Sequence, residues 1–218
     1  MIDFSKYQHF IFDWNGTLLN DLWLAVDVID KMLLKRGLPG MSSERYCEVF
    51  DFPVRDYYQN IGFDFEKESF EIVGTEFIVE YDKRQYECNL QNSAKELLDF
   101  LYDQKYHLSV LSAREQTMLV QNLKFYQIHH YFPVISGLID HYANGKLENG
   151  LQLIENTHIN PKYTILIGDT LHDAEVAKEM GIDCVLIASG HQAIHRLESA
   201  QVNIFTSLSH LFSLIKKN

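Results

Sequence analysis

Near the start of the chain, Asp13-Trp14-Asn15-Gly16-Thr17-Leu18-Leu19-Asn20-Asp21 brings together residues able to do nucleophilic chemistry. The run follows Phe10-Ile11-Phe12, three apolar residues that suit a strand buried on both faces and that stop abruptly at an acid. Open α/β sheets bind ligands just beyond the carboxyl ends of their strands, so Asp13 stands where a carboxylate can attack phosphorus. Gly16 lets the backbone turn and approach a bound group closely, and Thr17 offers a hydroxyl and an amide to anionic oxygens. Read alone, the same residues also describe a strand followed by an Asn-Gly turn.

A second strand pattern, Thr164-Ile165-Leu166-Ile167, ends in Gly168-Asp169-Thr170-Leu171-His172-Asp173. If the two strands are neighbours, their acids converge. Carboxylates that close raise one another's pKa unless a cation lies between them, and such hard oxygen ligands suit Mg²⁺. Gly168 permits the close approach. Asp169 capping the next helix, with Asp173 in its first turn, is the plainer reading and is compatible with the metal role. Between the two acid clusters, Leu108-Ser109-Val110-Leu111 leads to Ser112-Ala113-Arg114, which places the Ser112 hydroxyl at the same sheet edge. Lys146 precedes a helical pattern carrying Leu147, Leu151 and Ile154. Taken singly, Ser112 reads as a helix cap and Lys146 as a solvated lysine.

The elements that must position these groups alternate short apolar runs with helical periods, the pattern of a parallel sheet covered by helices. Strands are expected at Gln8 to Phe12, His107 to Leu111, Pro133 to Ile135, Thr164 to Ile167, Cys184 to Ile187 and, weakly, Val202 to Phe205. Ser93-Ala94-Lys95-Glu96 has the form of a capping box, followed by Leu97, Leu98 and Leu101 on a buried face. Residues 22–84 break the alternation. Leu22, Ala25, Val26, Ile29, Met32 and Leu33 keep helical spacing until Gly37 and Pro39, and further helical patterns cover Glu44 to Phe50, Pro53 to Ile61 and Phe70 to Tyr81. So long an insertion exceeds a usual crossover connection. The expected architecture is therefore α/β, with a core of residues 1–21 and 85–218 and a helical cap of residues 22–84 inserted after the first strand.

The 218 residues, 46% hydrophobic and 22% charged, suffice for one globular core with an insertion. A net charge of −11 argues against a nucleic-acid partner, since phosphate backbones are bound through Lys and Arg. Three scattered cysteines, Cys47, Cys88 and Cys184, form neither a disulfide framework nor a zinc motif. No apolar stretch approaches a membrane span, and Met1-Ile2-Asp3 lacks the basic start of a secretion signal, so a cytoplasmic location is expected. Nothing in the sequence calls for an obligate protein partner.

The order of an Asp loop, a strand leading to Ser, a Lys, and Gly-Asp-x-x-x-Asp resembles the haloacid dehalogenase-like hydrolase superfamily, over nearly the whole chain. The helical insertion resembles the C1-type cap of its phosphoglycolate phosphatase-like branch. The resemblance implies a Rossmann-like core, Mg²⁺ dependence and hydrolysis of a small phosphorylated metabolite through an aspartyl-phosphate. It makes Asp13 the nucleophile and a metal ligand, Asn15 a ligand through its backbone carbonyl, Asp169 a second carboxylate ligand and Asp173 the acid that holds the metal's water shell. Ser112 and the adjoining Ala113, with Gly16 and Thr17, would meet the phosphoryl group, and Lys146 would steady nucleophile and phosphate.

Asn15 departs from the family pattern, in which an acid two residues beyond the nucleophile protonates the leaving oxygen. An amide cannot exchange that proton at neutral pH. General acid–base catalysis is typically worth about 10²–10⁴-fold, so the departure bears on mechanism. The alternatives are a leaving group needing little protonation, a proton from His172, His191 or the cap, a phosphonoacetaldehyde hydrolase-like reaction using a cap lysine, a phospho-ligand binding or regulatory protein without turnover, or deamidation of Asn15. Within the cap, Arg55 is the candidate to grip a substrate anion, with pairing to Asp51 or Asp56 as the plainer reading.

Overall fold

The strand that leads into Asp13 lies in the middle of a six-stranded parallel sheet whose strands run, edge to edge, Val134–Leu138, His107–Glu115, His9–Phe12, Thr164–Gly168, Asp183–Ile187 and Asn203–Phe205. The computed structural model describes residues 2–139 and 145–217. β1 (His9–Phe12) pairs with β4 (His107–Glu115) on one side and β6 (Thr164–Gly168) on the other, placing Phe12 beside both Val110 and Ile167. β5 (Val134–Leu138), β7 (Asp183–Ile187) and β8 (Asn203–Phe205) complete the sheet. All four residues of β1 are buried, as a strand covered on both faces requires.

Alternation along β1 sends Phe10 and Phe12 to one face and Ile11 to the other, where they join separate apolar clusters. α5 (Ala94–Asp103), α6 (Gln116–Phe125) and α10 (Leu208–Ile215) supply the first face through Leu97, Leu123 and Leu211. α7 (Lys146–Thr157), α8 (Leu171–Glu179) and the short α9 (Ile194–Leu197) supply the second through Leu153, Ala177 and Leu197. The protein is thus a doubly wound α/β fold, as the alternation of apolar runs implies.

Residues 22–84 are helical and contribute no strand: α1 (Leu22–Lys35), α2 (Ser43–Val49), α3 (Val54–Ile61) and α4 (Phe70–Arg84). α1 forms where apolar residues recur at helical spacing and buries Ala25, Ile29, Met32 and Leu33. Full burial of a side chain such as Ile29 stabilises by about 1.5–3 kcal/mol. A two-residue strand at each end of this insertion, β2 (Leu19–Asn20) and β3 (Asn89–Leu90), pair antiparallel, so the chain leaves and re-enters the sheet layer at one neck.

Three local expectations need correction. Ser93 forms no capping box: its φ is +66°, no side-chain cap bond is made, and its hydroxyl instead accepts a 2.9 Å hydrogen bond from Ser209 Oγ on α10. β4 runs on to Glu115, whose carboxylate caps α6 by accepting from the amides of Thr117 and Met118, so Ser112 lies within the strand and caps no helix. Lys146 is the first residue of α7 and does not precede it; Leu151 on that helix is exposed while Gly150 and Leu153 face the core.

Candidate active site

Parallel pairing of β1 with β6 decides the geometry of the acids. Asp13 leaves β1 with its amide donating to Ile167 O at 2.9 Å, and Asp169 leaves β6 at the same edge. Gly168 makes the turn possible, because a Cβ there would lie 2.4 Å from the Asp173 Cβ. Carboxylate oxygens of Asp13, Asp169 and Asp173 come within 4.8 Å of one another, all buried. Lys146 Nζ donates to Asp13 Oδ1 and to Asp173 Oδ1, both at 2.6 Å.

Each acid is oriented from its far side. Asp173 Oδ2 accepts from the Thr170 amide at 3.0 Å and the Thr170 hydroxyl at 2.7 Å, a capping box at the start of α8. Thr170, and not Asp169, is therefore the cap. Asp169 accepts from Thr17 Oγ1 at 2.9 Å and from the His191 amide at 2.7 Å. Asp13 Oδ1 is held by Lys146, while among the described residues no protein donor reaches Oδ2, and the residue lines a cavity. Gly16, at φ +75°, passes so close that a Cβ would stand 2.2 Å from Asp169 Oδ2.

Burial pushes the Asp13 carboxyl up to about 8, against the pull of Lys146 and with Asp173 and Asp169 adding to the rise. Burial likewise raises Asp169 to about 6, eased by His191. Asp173 is buried too, yet Lys146 beside it holds its carboxyl below the usual range. Three carboxylates, two of them sharing one ammonium, thus stand together in a buried site. That donor set fits a hard divalent cation with oxygen ligands.

The family model for haloacid dehalogenase-like hydrolases matches residues 10–187. The chain belongs to the haloacid dehalogenase-like hydrolases. Among solved structures, a haloacid dehalogenase-like family hydrolase from Streptococcus pneumoniae superposes with a TM-score of 0.81 at 22% identity, covering 98% of this chain and 100% of that one. A predicted phosphoglycolate phosphatase from Haemophilus somnus gives 0.77 at 19% identity, covering 96% of this chain and 98% of that one. The Mycobacterium tuberculosis protein named tyrosine-protein kinase PtkA is 22% identical over 201 residues, 91% of this chain and 68% of that protein. Its solved structure gives a TM-score of 0.79 over 96% of this chain and 98% of that one, at 20% identity. At such identities these structures share the fold. No helix among the described residues is long and apolar enough to cross a membrane.

In this dehalogenase-like hydrolase the cavity beside Asp13 measures about 170 Å³. Asp13, Asn15, Ser112, Ala113, Lys146, Asp169 and Asp173 all line it. Ser112 Oγ accepts from the Arg114 amide at 3.1 Å. Gly16 and Thr17 stand behind Asp169, outside that lining. Arg55 does not reach the cavity: it is exposed, with its guanidinium 5.1 Å from the Phe65 ring centroid and 5.5 Å from that of Phe70. Asp51, its expected partner, is instead bonded by Arg196 at 2.9 Å. Of the two histidines weighed as proton sources, His191 lines the cavity, whereas His172 stacks on Phe52 with centroids 4.5 Å apart and does not. Lys31, Lys35 and Lys67, lysines of the 22–84 segment weighed for a phosphonoacetaldehyde hydrolase-like reaction, are exposed and paired with Asp27, Glu76 and Asp64.

Asn15 belongs to a polar network that no local spacing announces. Its Nδ2 donates to Asp21 Oδ2 at 2.8 Å and to the Tyr81 hydroxyl at 2.9 Å, and Tyr81 itself donates to Asp21 Oδ2 at 2.7 Å. Asp21 Oδ1 accepts from the Gly16 amide at 2.8 Å and lies 3.2 Å from His191 Nε2. Burial disfavours the His191 cation, but Asp21 and Asp169 beside it hold its pKa up to about 9; Asp21, buried as well, is kept low by His191. Arg114 is also buried at the cavity wall, bonded to Asp82 and to Gln85 Oε1, with its guanidinium 5.3 Å from the Tyr81 ring. Asp21 in the first loop and Arg114 two residues beyond Ser112 are visible in the sequence as charges beside motif residues. That adjacency is the only signal by which they could have been found.

Proposed function

We propose that this hydrolase cleaves phosphomonoesters of a small metabolite, in the manner of a phosphoglycolate phosphatase, with Asp13 as nucleophile. The observation that carries the reading is Asp13 itself, buried at the cavity wall with Oδ1 fixed by Lys146 and Oδ2 facing no protein donor among the described residues. In the first half of the reaction Oδ2 bonds to phosphorus as the ester oxygen leaves with the P–O electron pair and takes up a proton. In the second, water attacks the aspartyl-phosphate, loses a proton, and releases phosphate with the carboxylate restored. Lys146 orients the nucleophile and offsets phosphoryl charge, and the Ser112 hydroxyl donates to a phosphoryl oxygen. Asp13, Asp169 and Asp173, with the Asn15 carbonyl, would hold Mg²⁺, which supplies fixed positive charge to the phosphoryl oxygens. The helices of residues 22–84 form the cap over a core of residues 1–21 and 85–218.

Asn15 favours one second reading, a phospho-ligand binding protein, because its amide cannot give up a proton as an acid at neutral pH. Phenyl phosphate turnover separates the two. Mg²⁺-dependent release of phosphate is expected from the wild type, and Asp13→Asn is expected to retain under a few per cent of it. A variant that keeps more would remove Asp13 as nucleophile; a wild type that binds phosphate without turnover would favour the binding protein.

A further inference from the structure

Two features independent of each other bear on the group to which the phosphate is attached. The first is the cavity wall contributed by α2 to α4 and the loop between α2 and α3. Eight aromatic rings line it, with Phe50, Phe52, Tyr57, Phe70 and Phe77 facing the same space as Asp13 and Lys146. At about 170 Å³ the cavity is close to the roughly 150 Å³ of an apolar protein cavity known to take up benzene. Its cations are already engaged: Lys146 by Asp13 and Asp173, Arg114 by Asp82, His191 by Asp21. A substrate carboxylate, such as that of glycolate, would find no unpaired positive group among the described lining residues. Only the Tyr57 hydroxyl and Arg114 Nε stand there as buried polar atoms without a partner, too few for the hydroxyls of a sugar. The second feature is Asn15, whose amide cannot protonate a leaving oxygen and is occupied with Asp21 and Tyr81.

We propose that the substrate is a small aryl phosphomonoester, its ring seated among these aromatic side chains. The proposal rests on the reading of Asp13 as a phosphatase nucleophile. A phenol ionises near pH 10, as tyrosine does, whereas an aliphatic alcohol is a far weaker acid; the aryl–O–P bond therefore breaks with the electron pair leaving on a phenolate that takes its proton from water afterwards. The ring also brings apolar area and offset or edge-on contacts to Phe and Tyr, a gain on the order of tens-fold in affinity.

The test compares kcat/KM of the full chain with Mg²⁺ on phenyl phosphate, benzyl phosphate, phosphoglycolate and glycerol phosphate, alongside calorimetric binding of benzylphosphonate and methylphosphonate. Phenyl phosphate is expected to exceed phosphoglycolate by about 10²-fold or more. Benzyl phosphate, which keeps the ring but needs a proton, should fall between them. The ring should tighten phosphonate binding at least about tenfold. Phe77→Ala is expected to shrink the phenyl-to-glycolate ratio at least about fivefold, and the better-packed Phe77→Leu to shrink it less. Phosphoglycolate or glycerol phosphate turned over in an Asp13-dependent way as fast as phenyl phosphate would overturn the aryl pocket and leave the phosphatase reading standing. Ring-dependent phosphonate binding with no ester hydrolysed would do the reverse. Absence of ring preference in both assays overturns the proposal. Free phosphotyrosine and a phosphotyrosyl peptide separate the sources of an aryl phosphate: a peptide cleaved faster than the free amino acid would overturn a small-molecule substrate.

Discussion

Replacing Asn15 by Asp restores the acid that the family carries, and the surroundings of the residue determine what that acid can do. The Asn15 amide supplies two hydrogen bonds, to Asp21 Oδ2 at 2.8 Å and to Tyr81 at 2.9 Å. In Asn15→Asp an oxygen takes the place of Nδ2, directly against the Asp21 carboxylate. Ionised, it leaves two carboxylates in contact and removes a donor from a buried acceptor, a loss of about 2–4 kcal/mol. Protonated, it donates one O–H to Asp21 and most of that loss disappears. Asp21 therefore raises the folded-state pKa of the introduced carboxyl above its unfolded value of about 4. A raised pKa contributes stability that is present at low pH and lost as pH rises through the folded value. The stability gap between variant and wild type should accordingly be small at pH 5 and wide at pH 8. For a chain of this length about 1 kcal/mol moves the melting temperature by 2–4 °C, so the gap should widen by roughly 4–16 °C, read by thermal unfolding monitored by circular dichroism. In the same pH series the proton held at position 15 should speed benzyl phosphate hydrolysis about 10–10²-fold and phenyl phosphate hydrolysis far less, most strongly on the acid side. A gap that does not change with pH, or equal gains on both esters, would refute the reasoning from Asp21.

Lys146→Met removes the one ammonium between Asp13 and Asp173, and such a broken buried pair costs about 3–5 kcal/mol in urea unfolding at pH 8. Asp13, whose carboxyl burial already pushes up to about 8, takes up a proton as pH falls through that value, so the loss should be larger at pH 9.5 than at pH 6; a loss that is the same at both would show that Asp13 does not change its protonation between them. Gly16→Ala places a methyl 2.2 Å from Asp169 Oδ2 and 2.5 Å from His191 Cδ2 at φ +75°, and should lower stability by at least about 2 kcal/mol and Mg²⁺ affinity with it. Calorimetric titration with Mg²⁺ and thermal unfolding check both, and wild-type values in each would mean that the loop can move away from Asp169.

The strands bearing the acids were legible because a parallel strand buried on both faces needs a continuous apolar run, and both runs end at an acid. Lys146 became legible only through chain order, since a lysine at a helix start has no signature of its own. What escaped was assembled from distant segments. Asp21, Tyr81 and His191 meet from the first loop, α4 and the turn after β7, and no periodicity links them. Ser93 satisfied the capping pattern, yet a contact with Ser209 and a left-handed backbone took precedence over local preference. Arg55 carried the right charge near the right residues, but helix phase turned it toward Phe65 and Phe70, and an arginine much further along the chain took Asp51.

The central position of β1 has a consequence for synthesis. A strand made first is paired on one side only when His107 to Val110 arrive, and on the other only with Thr164 to Ile167. Both partnerships span long loops whose closure entropy precedes any gain from pairing. On a ribosome the segment around Asp13 therefore waits through most of translation, and Lys146, Asp169 and Asp173 join it late. A partly made chain carries Asp13 without Lys146 or its companion acids. On the reading of Asp13 as the nucleophile, truncation products from stalled translation that end before Asp169 are expected to be inert toward phosphate esters.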